Sequence, residues 1–181
     1  KKSTKQKQLV VVSALGGITN LLVEMATAAS RGEKNFKAHI KTVEDRHLAI
    51  ILDFIPVTKQ SGSISFLKSK INELESVLES LFTLKELTSK SLAKISSYGE
   101  ILSSTIIYDL FKYQGIDVTL KDSRDLLFTQ IVNDREIIDH KKSSDKTQKF
   151  VKQETAAVII VPGFIASDEN AGLLIIEDFG S

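Results

Sequence analysis

The chain has no cysteine among its 181 residues. That absence excludes a disulfide framework and any zinc–thiolate site. Long hydrophobic runs are also missing: none approaches the roughly 18 residues of a membrane span. Nor does one sign of charge dominate. The 24 Lys and Arg face 23 Asp and Glu, leaving a formal charge of +1. No long-range field therefore points to nucleic acid or to an anionic membrane, and neither is expected as a partner. The start, KKSTKQKQ, is basic, but the apolar run LVVV behind it is too short for a secretory signal. A cytoplasmic location is the expectation.

Several catalytic signatures are lacking too. There is no G-x-x-x-x-G-K-S/T, no G-x-G-x-x-G, no G-x-S-x-G and no H-E-x-x-H. His39, His47 and His140 show no metal-ligand spacing, so capping or packing is their default role and no metal site is expected. A DFG triplet at 178–180 lacks the upstream lysine and H-R-D loop that would make it a protein-kinase element.

What is present is the composition of a globular domain, with 42% hydrophobic and 26% charged residues. The length suits one domain with a sizeable core. LVVVSAL at 9–15 is a continuous β-branched run, the pattern of a strand covered on both faces. Gly16 and Gly17 break it, and ITNLLVEMATAAS reads as a helix with Thr19 near its start. Residues 33–55 form a second helix on this reading, with Phe36, Ile40, Val43, His47, Ile50, Ile51 and Phe54 on one side. Pro56 ends it.

From 64 to 87 the apolar residues Ile64, Leu67, Ile71, Leu74, Leu78 and Leu81 alternate steps of three and four. That is the seam of a packed helix pair, here a long αα-hairpin. Its second arm runs to about Tyr113 and stops at Gly115, a plausible C′ position. DVTLKD at 117–122 is strand-like. The stretch 132–152 is polar and reads as a loop with a helical piece. AAVIIVPGFIA at 156–166 is a second buried strand, and GLLII at 172–176 a third. The chain divides into a strand–helix unit at 9–56, a helical hairpin at 64–115 and a sheet segment at 116–181. The order implies α/β architecture with a mainly parallel sheet.

One stretch breaks its own pattern. SLAKISSYGEILSS at 91–104 places Gly99 inside a helix, at a cost of about 1 kcal/mol relative to alanine, and sets Glu100 directly after it. Either this is a solvated face, or something approaches the backbone closely beside a fixed negative charge. Two further glycine turns, SALGGITN and PGFIASDENAG, follow strands. In an open α/β sheet ligands bind outside the carboxyl ends of the strands, and helix N-termini there hold anions. Anion-holding amides with one carboxylate would suit a zwitterion such as an amino acid.

VVVSALGGITNLL, SSYGEILSS, DSRDLLFT and VIIVPGFIASDENAG resemble consecutive blocks of the aspartokinase family, in family order, and DRHLAI resembles one of its helices. The resemblance spans roughly residues 9 to 176. It implies the amino acid kinase fold, a three-layer sandwich with helices on both faces of the sheet. It also implies transfer of the γ-phosphoryl group of ATP, with Mg2+, to the side-chain carboxylate of L-aspartate, in lysine, threonine and methionine biosynthesis. A homo-oligomeric parent follows from it, and a bifunctional aspartokinase–homoserine dehydrogenase is one form that parent could take.

By the same resemblance Glu100 holds the substrate's α-amino group, Thr19 lies beside the substrate, Ser13 is the substrate-binding serine that ends the first strand, and the backbone region of Phe164 lines the aspartate pocket. The residues alone also allow Glu100 as surface, Thr19 as a helix cap and Phe164 as core. The family's lysine-bearing K-F-G-G-T-S loop has no counterpart before residue 9. Its G-R-G-G-S-D block falls where the chain reads EDFGS, with Asp178 at the arginine's place and Gly180 and Ser181 loosely aligned. The expectation is a partial catalytic domain, the aspartate-binding half, without nucleotide-binding half or regulatory domains and inactive alone. The competing reading is a non-catalytic interaction module pairing through the 64–87 helix.

Overall fold

A computed structural model of the chain describes residues 7–132, 135–167 and 173–175. Strand β1 (Gln8–Val12) leads through Gly16–Gly17 into α1 (Ile18–Ser30), followed by α2 (Phe36–Phe54), α3 (Gln60–Leu84) and α4 (Ser89–Tyr113). Then come β2 (Val118–Leu120), β3 (Thr129–Val132), β4 (Arg135–Ile138), α5 (His140–Gln153), β5 (Val158–Pro162), β6 (Ile165–Ser167) and β7 (Leu173–Ile175).

The four long helices bury one another's apolar stripes. Ile18, Leu22 and Met25 of α1, Val43 and Ile51 of α2, Leu67, Leu74 and Leu78 of α3 and Ile95 and Leu102 of α4 are all at 0% exposure. Each such side chain contributes about 1.5–3 kcal/mol when removed from water. The 64–81 seam thus lies inside this bundle: Leu67, Ile71, Leu74, Leu78 and Leu81 are buried and Ile64 packs at its margin. The interaction-module reading needed that seam for a partner, and the chain uses it internally.

Helix α4 begins at a capping box, where the Thr88 hydroxyl accepts from Ser91 N–H and the Ser91 hydroxyl accepts from Thr88 N–H. It ends at Gly115, with φ 78°. Gly115 N–H bonds the Lys112 carbonyl and Ile116 N–H the Phe111 carbonyl, the paired bonds of a Schellman motif that only a left-handed residue closes easily.

The main sheet is parallel, in the order β1-β5-β2, with Leu9 opposite Ile159 and Val118 opposite Val158. Central β5 is buried along its whole length. Ile159 and Val161 pack with Leu126 and with Phe150 and Val151 of α5. Leu120 and Pro162 sit beside Ile101 and Thr105 of α4, so α4 covers the opposite face. Helices on both faces of a parallel sheet give the expected α/β layering.

Several expectations need correction. Strand β1 is shorter than 9–15, and it is an edge strand whose Leu9 and Val11 are 53% and 61% exposed. They share the face of Ile159 and Val161, but α5 covers only β5, so among the described residues β1 is not covered on both sides. In the stretch 132–152 the helical piece is present as α5, 14 residues behind the N-cap Asp139, but the part before it is a strand, since β3 and β4 pair as an antiparallel hairpin. The third expected strand, β7, does not join the parallel sheet but pairs antiparallel with β6. Asp178, Gly180 and Ser181 lie outside the described residues.

Candidate active site

The site is built where β1 ends. Gly17 is the N-cap of α1, with φ 79°, and no side chain caps the helix. No acidic residue stands in the first turn either, so that turn keeps its attraction for an anion. Thr19 sits in this turn and is not the cap. At the end of β5, Gly163 N–H bonds the Val12 carbonyl at 2.9 Å. A Cβ at Gly163 would meet Val11 Cγ1 at 3.2 Å and Val12 O at 3.6 Å, so the two strand ends close together because this residue has no side chain. Phe164 follows with φ 54°, a left-handed conformation that costs a non-glycine residue about 1–2 kcal/mol.

Helix α4 crosses these strand ends, and each residue of its SYGE stretch has its own neighbour. Tyr98 is 4% exposed and donates its hydroxyl to Glu73 of α3; burial first, and then that carboxylate, push its pKa to about 12. Gly99 faces the other way, where a Cβ would stand 2.7 Å from Ala14 Cβ, 3.4 Å from Leu22 Cδ1 and 3.5 Å from Ile18 Cγ2. The space it leaves is therefore filled by the β1–α1 loop and α1, and not by a ligand as the sequence suggested. Ser103, one turn on, donates to the Ser13 carbonyl at 2.7 Å and fixes α4 to the end of β1.

Glu100 is 3% exposed, so it is not surface. Burial raises its pKa, while hydrogen bonds from its own N–H and from Ala14 N–H act in the opposite sense. Its Oε2 atom has no hydrogen-bond partner. A buried carboxylate oxygen without a donor costs free energy, and a cationic donor beside it would relieve that cost.

Glu100 lines a pocket of about 500 Å³ whose other walls include Ser13, Thr19, Ser96 and Phe164. All four residues singled out from the sequence, Glu100, Thr19, Ser13 and Phe164, border this one space. Phe164 is 37% exposed and so not core. Sequence reasoning missed Ser89, Leu92, Ala93 and Ser96, which extend the wall along α4, and Val23 on α1. On α4 the available signal was the helical repeat, in steps of three and four back from Glu100 through Ser96, Ala93 and Ser89. The lining contains no lysine or arginine among the described residues. It fits a small molecule with an ammonium for Glu100 and an anionic group for the α1 terminus better than it fits a polyphosphate.

The histidines stand apart from this pocket. His47 is fully buried, and its Nδ1 lies 2.7 Å from the Val43 carbonyl oxygen, so it donates there. Burial lowers its pKa and keeps it neutral.

A parallel sheet between helices, with its pocket outside the carboxyl ends of the strands, is an α/β ligand-binding architecture. The chain belongs to the amino acid kinase family, whose family model matches residues 1–178. Within it the relatives are aspartokinases. The chain is 25% identical over 167 residues to the bifunctional aspartokinase/homoserine dehydrogenase 1, chloroplastic, of Arabidopsis thaliana, covering 92% of this chain and 18% of that protein. Escherichia coli aspartokinase III in complex with lysine and aspartate superposes with a TM-score of 0.80 at 20% identity, over 96% of this chain and 38% of the other. The same enzyme in complex with aspartate and ADP gives 0.78, also at 20%, over 93% and 36%. The chain thus spans about a fifth of the curated relatives it matches, and the structural likeness establishes the fold.

Proposed function

We propose that the pocket binds L-aspartate and that the chain is the aspartate-binding part of an aspartate kinase. The observation that carries this reading is the buried Glu100 carboxylate, whose Oε2 lacks a donor at a pocket that the uncapped first turn of α1 also lines. An α-ammonium beside Glu100 supplies the missing donor, and α1 faces a carboxylate. The reaction would move the γ-phosphoryl group of ATP, with Mg2+, to the side-chain carboxylate. Catalysis of that kind is positioning plus charge stabilisation, and the described pocket residues do the positioning. Resemblance to aspartokinases supports placing the full-length protein in lysine, threonine and methionine biosynthesis, as a homo-oligomer.

The test uses the full-length protein, with calorimetric titration of L-aspartate and a coupled assay for ADP. Aspartate-dependent ADP release is expected, with a KM raised at least tenfold by Glu100→Gln, because a hydrogen bond to a charged group contributes about 1.5–3 kcal/mol. A protein that binds unrelated amino acids as well as aspartate, or whose KM ignores Glu100→Gln, would overturn the reading.

A further inference from the structure

Glu100 is not the pocket's sole acceptor. Ser96 stands one helical turn earlier on α4, is 4% exposed, and lines the same pocket. Serines buried in helices commonly turn their hydroxyl back to a carbonyl three or four residues before. Ser97, Ser103 and Ser104 of this helix do so. Ser96 makes no hydrogen bond with any described residue, and its hydroxyl is not given to Glu100 either.

The spacing explains what the two could share. Residues four apart on a helix have Cβ atoms about 5–6 Å from each other. Long helical side chains lean toward the N-terminus, so the Glu100 carboxylate leans over the turn that carries Ser96. A single ammonium nitrogen set between them would reach Oε2 of Glu100 and Oγ of Ser96 together. An ammonium has three donors and no acceptor, so a carboxylate alone leaves donors for a second acceptor. Of the other lining hydroxyls, none stands one helical turn from Glu100 on the same helix, and the Ser13 carbonyl already takes the Ser103 hydroxyl.

We propose that Ser96 is a positioning and specificity residue: its Oγ accepts the second hydrogen bond of the substrate's α-ammonium, whose first goes to Glu100. This rests on the aspartate-binding reading above. The hydroxyl then selects for an ammonium donor at this point and fixes its orientation, while Glu100 supplies the charge.

The experiment compares wild type, Ser96→Ala, Ser96→Thr and Glu100→Gln in the full-length protein, by L-aspartate titration and steady-state kinetics. Ser96→Ala is expected to raise the Kd and KM for aspartate about tenfold, with kcat and melting temperature little changed. Ser96→Thr keeps the hydroxyl and is expected to stay within about threefold of wild type. If Ser96→Ala binds aspartate as wild type does while Glu100→Gln does not, the Ser96 proposal is wrong and the aspartate reading stands. If Ser96→Thr is impaired as much as Ser96→Ala, the pocket reads shape at this position and the proposal is again overturned. Indifference of both Ser96→Ala and Glu100→Gln would sink the aspartate reading itself.

Discussion

Gly99 and Ala14 touch through a missing atom: a Cβ on Gly99 would stand 2.7 Å from the Ala14 Cβ. The partner is a methyl fixed to backbone, so no side-chain rotation relieves the clash. Gly99→Ala gains about 1 kcal/mol of helix propensity and loses about 1–3 kcal/mol to overpacking. The loss is expected to win, with net destabilisation of up to about 2 kcal/mol by urea denaturation. Because Ala14 N–H also bonds Glu100, the KM for aspartate should rise as well. Ala14→Gly removes the offending methyl and should restore the stability of Gly99→Ala. A Gly99→Ala protein more stable than wild type would show that the close packing is slack.

A second expectation concerns pH. Burial holds the Glu100 pKa above its ordinary 4.5, so the folded protein binds that proton more tightly than the unfolded chain. The resulting stability is complete below the unfolded pKa and is lost as pH rises through the folded one. Glu100→Gln stays neutral throughout. Ligand-free Glu100→Gln should therefore match wild type below pH 4.5 and be the more stable protein near neutrality. Saturating aspartate should narrow or reverse that gap, since an ammonium stabilises the carboxylate. Superimposable denaturation curves at every pH would mean that Glu100 is not desolvated.

The helices were legible because burial imposes a period. The seam from Ile64 to Leu81 and the stripe from Phe36 to Ile51 are what core-facing helices need. Strand β5 was equally plain, being buried on both faces. Strand β1 has the same composition but lies at an edge, and composition cannot separate the two. The β3–β4 hairpin escaped notice because its strands are four residues long and Ile131 and Ile137 are exposed. Helix α5 was read only as a helical piece without bounds, because its packed side is little more than Ser143, Phe150 and Val151. In the site, Glu100 announced itself by breaking a helical pattern. Ser96 did not, since a serine in a helix looks ordinary until its hydroxyl is found without a partner.

Leu74 tests the hairpin. It is fully buried in the bundle, and Leu74→Asp would place a charge there without a partner. Destabilisation of about 4 kcal/mol or more is expected, with loss of the cooperative thermal transition at moderate temperature. A Leu74→Asp protein that melts as wild type does would mean that the 64–81 seam faces solvent, and the interaction-module reading would return.

Phe164 separates backbone strain from ring contact. Its φ of 54° suits glycine and disfavours every residue with a Cβ. Both Phe164→Ala and Phe164→Gly remove the ring beside the pocket-lining backbone, so both should change aspartate binding to a similar degree. Their stabilities should differ in an unusual direction. At an ordinary position glycine is the less stable by roughly 0.5–1 kcal/mol. Here alanine keeps the left-handed strain and glycine does not, so Phe164→Gly should be the more stable by about 1 kcal/mol. Paired urea titrations at one pH measure that difference directly, and an alanine variant equal to or better than glycine would show that the turn after β5 relaxes out of the left-handed region once the ring is gone.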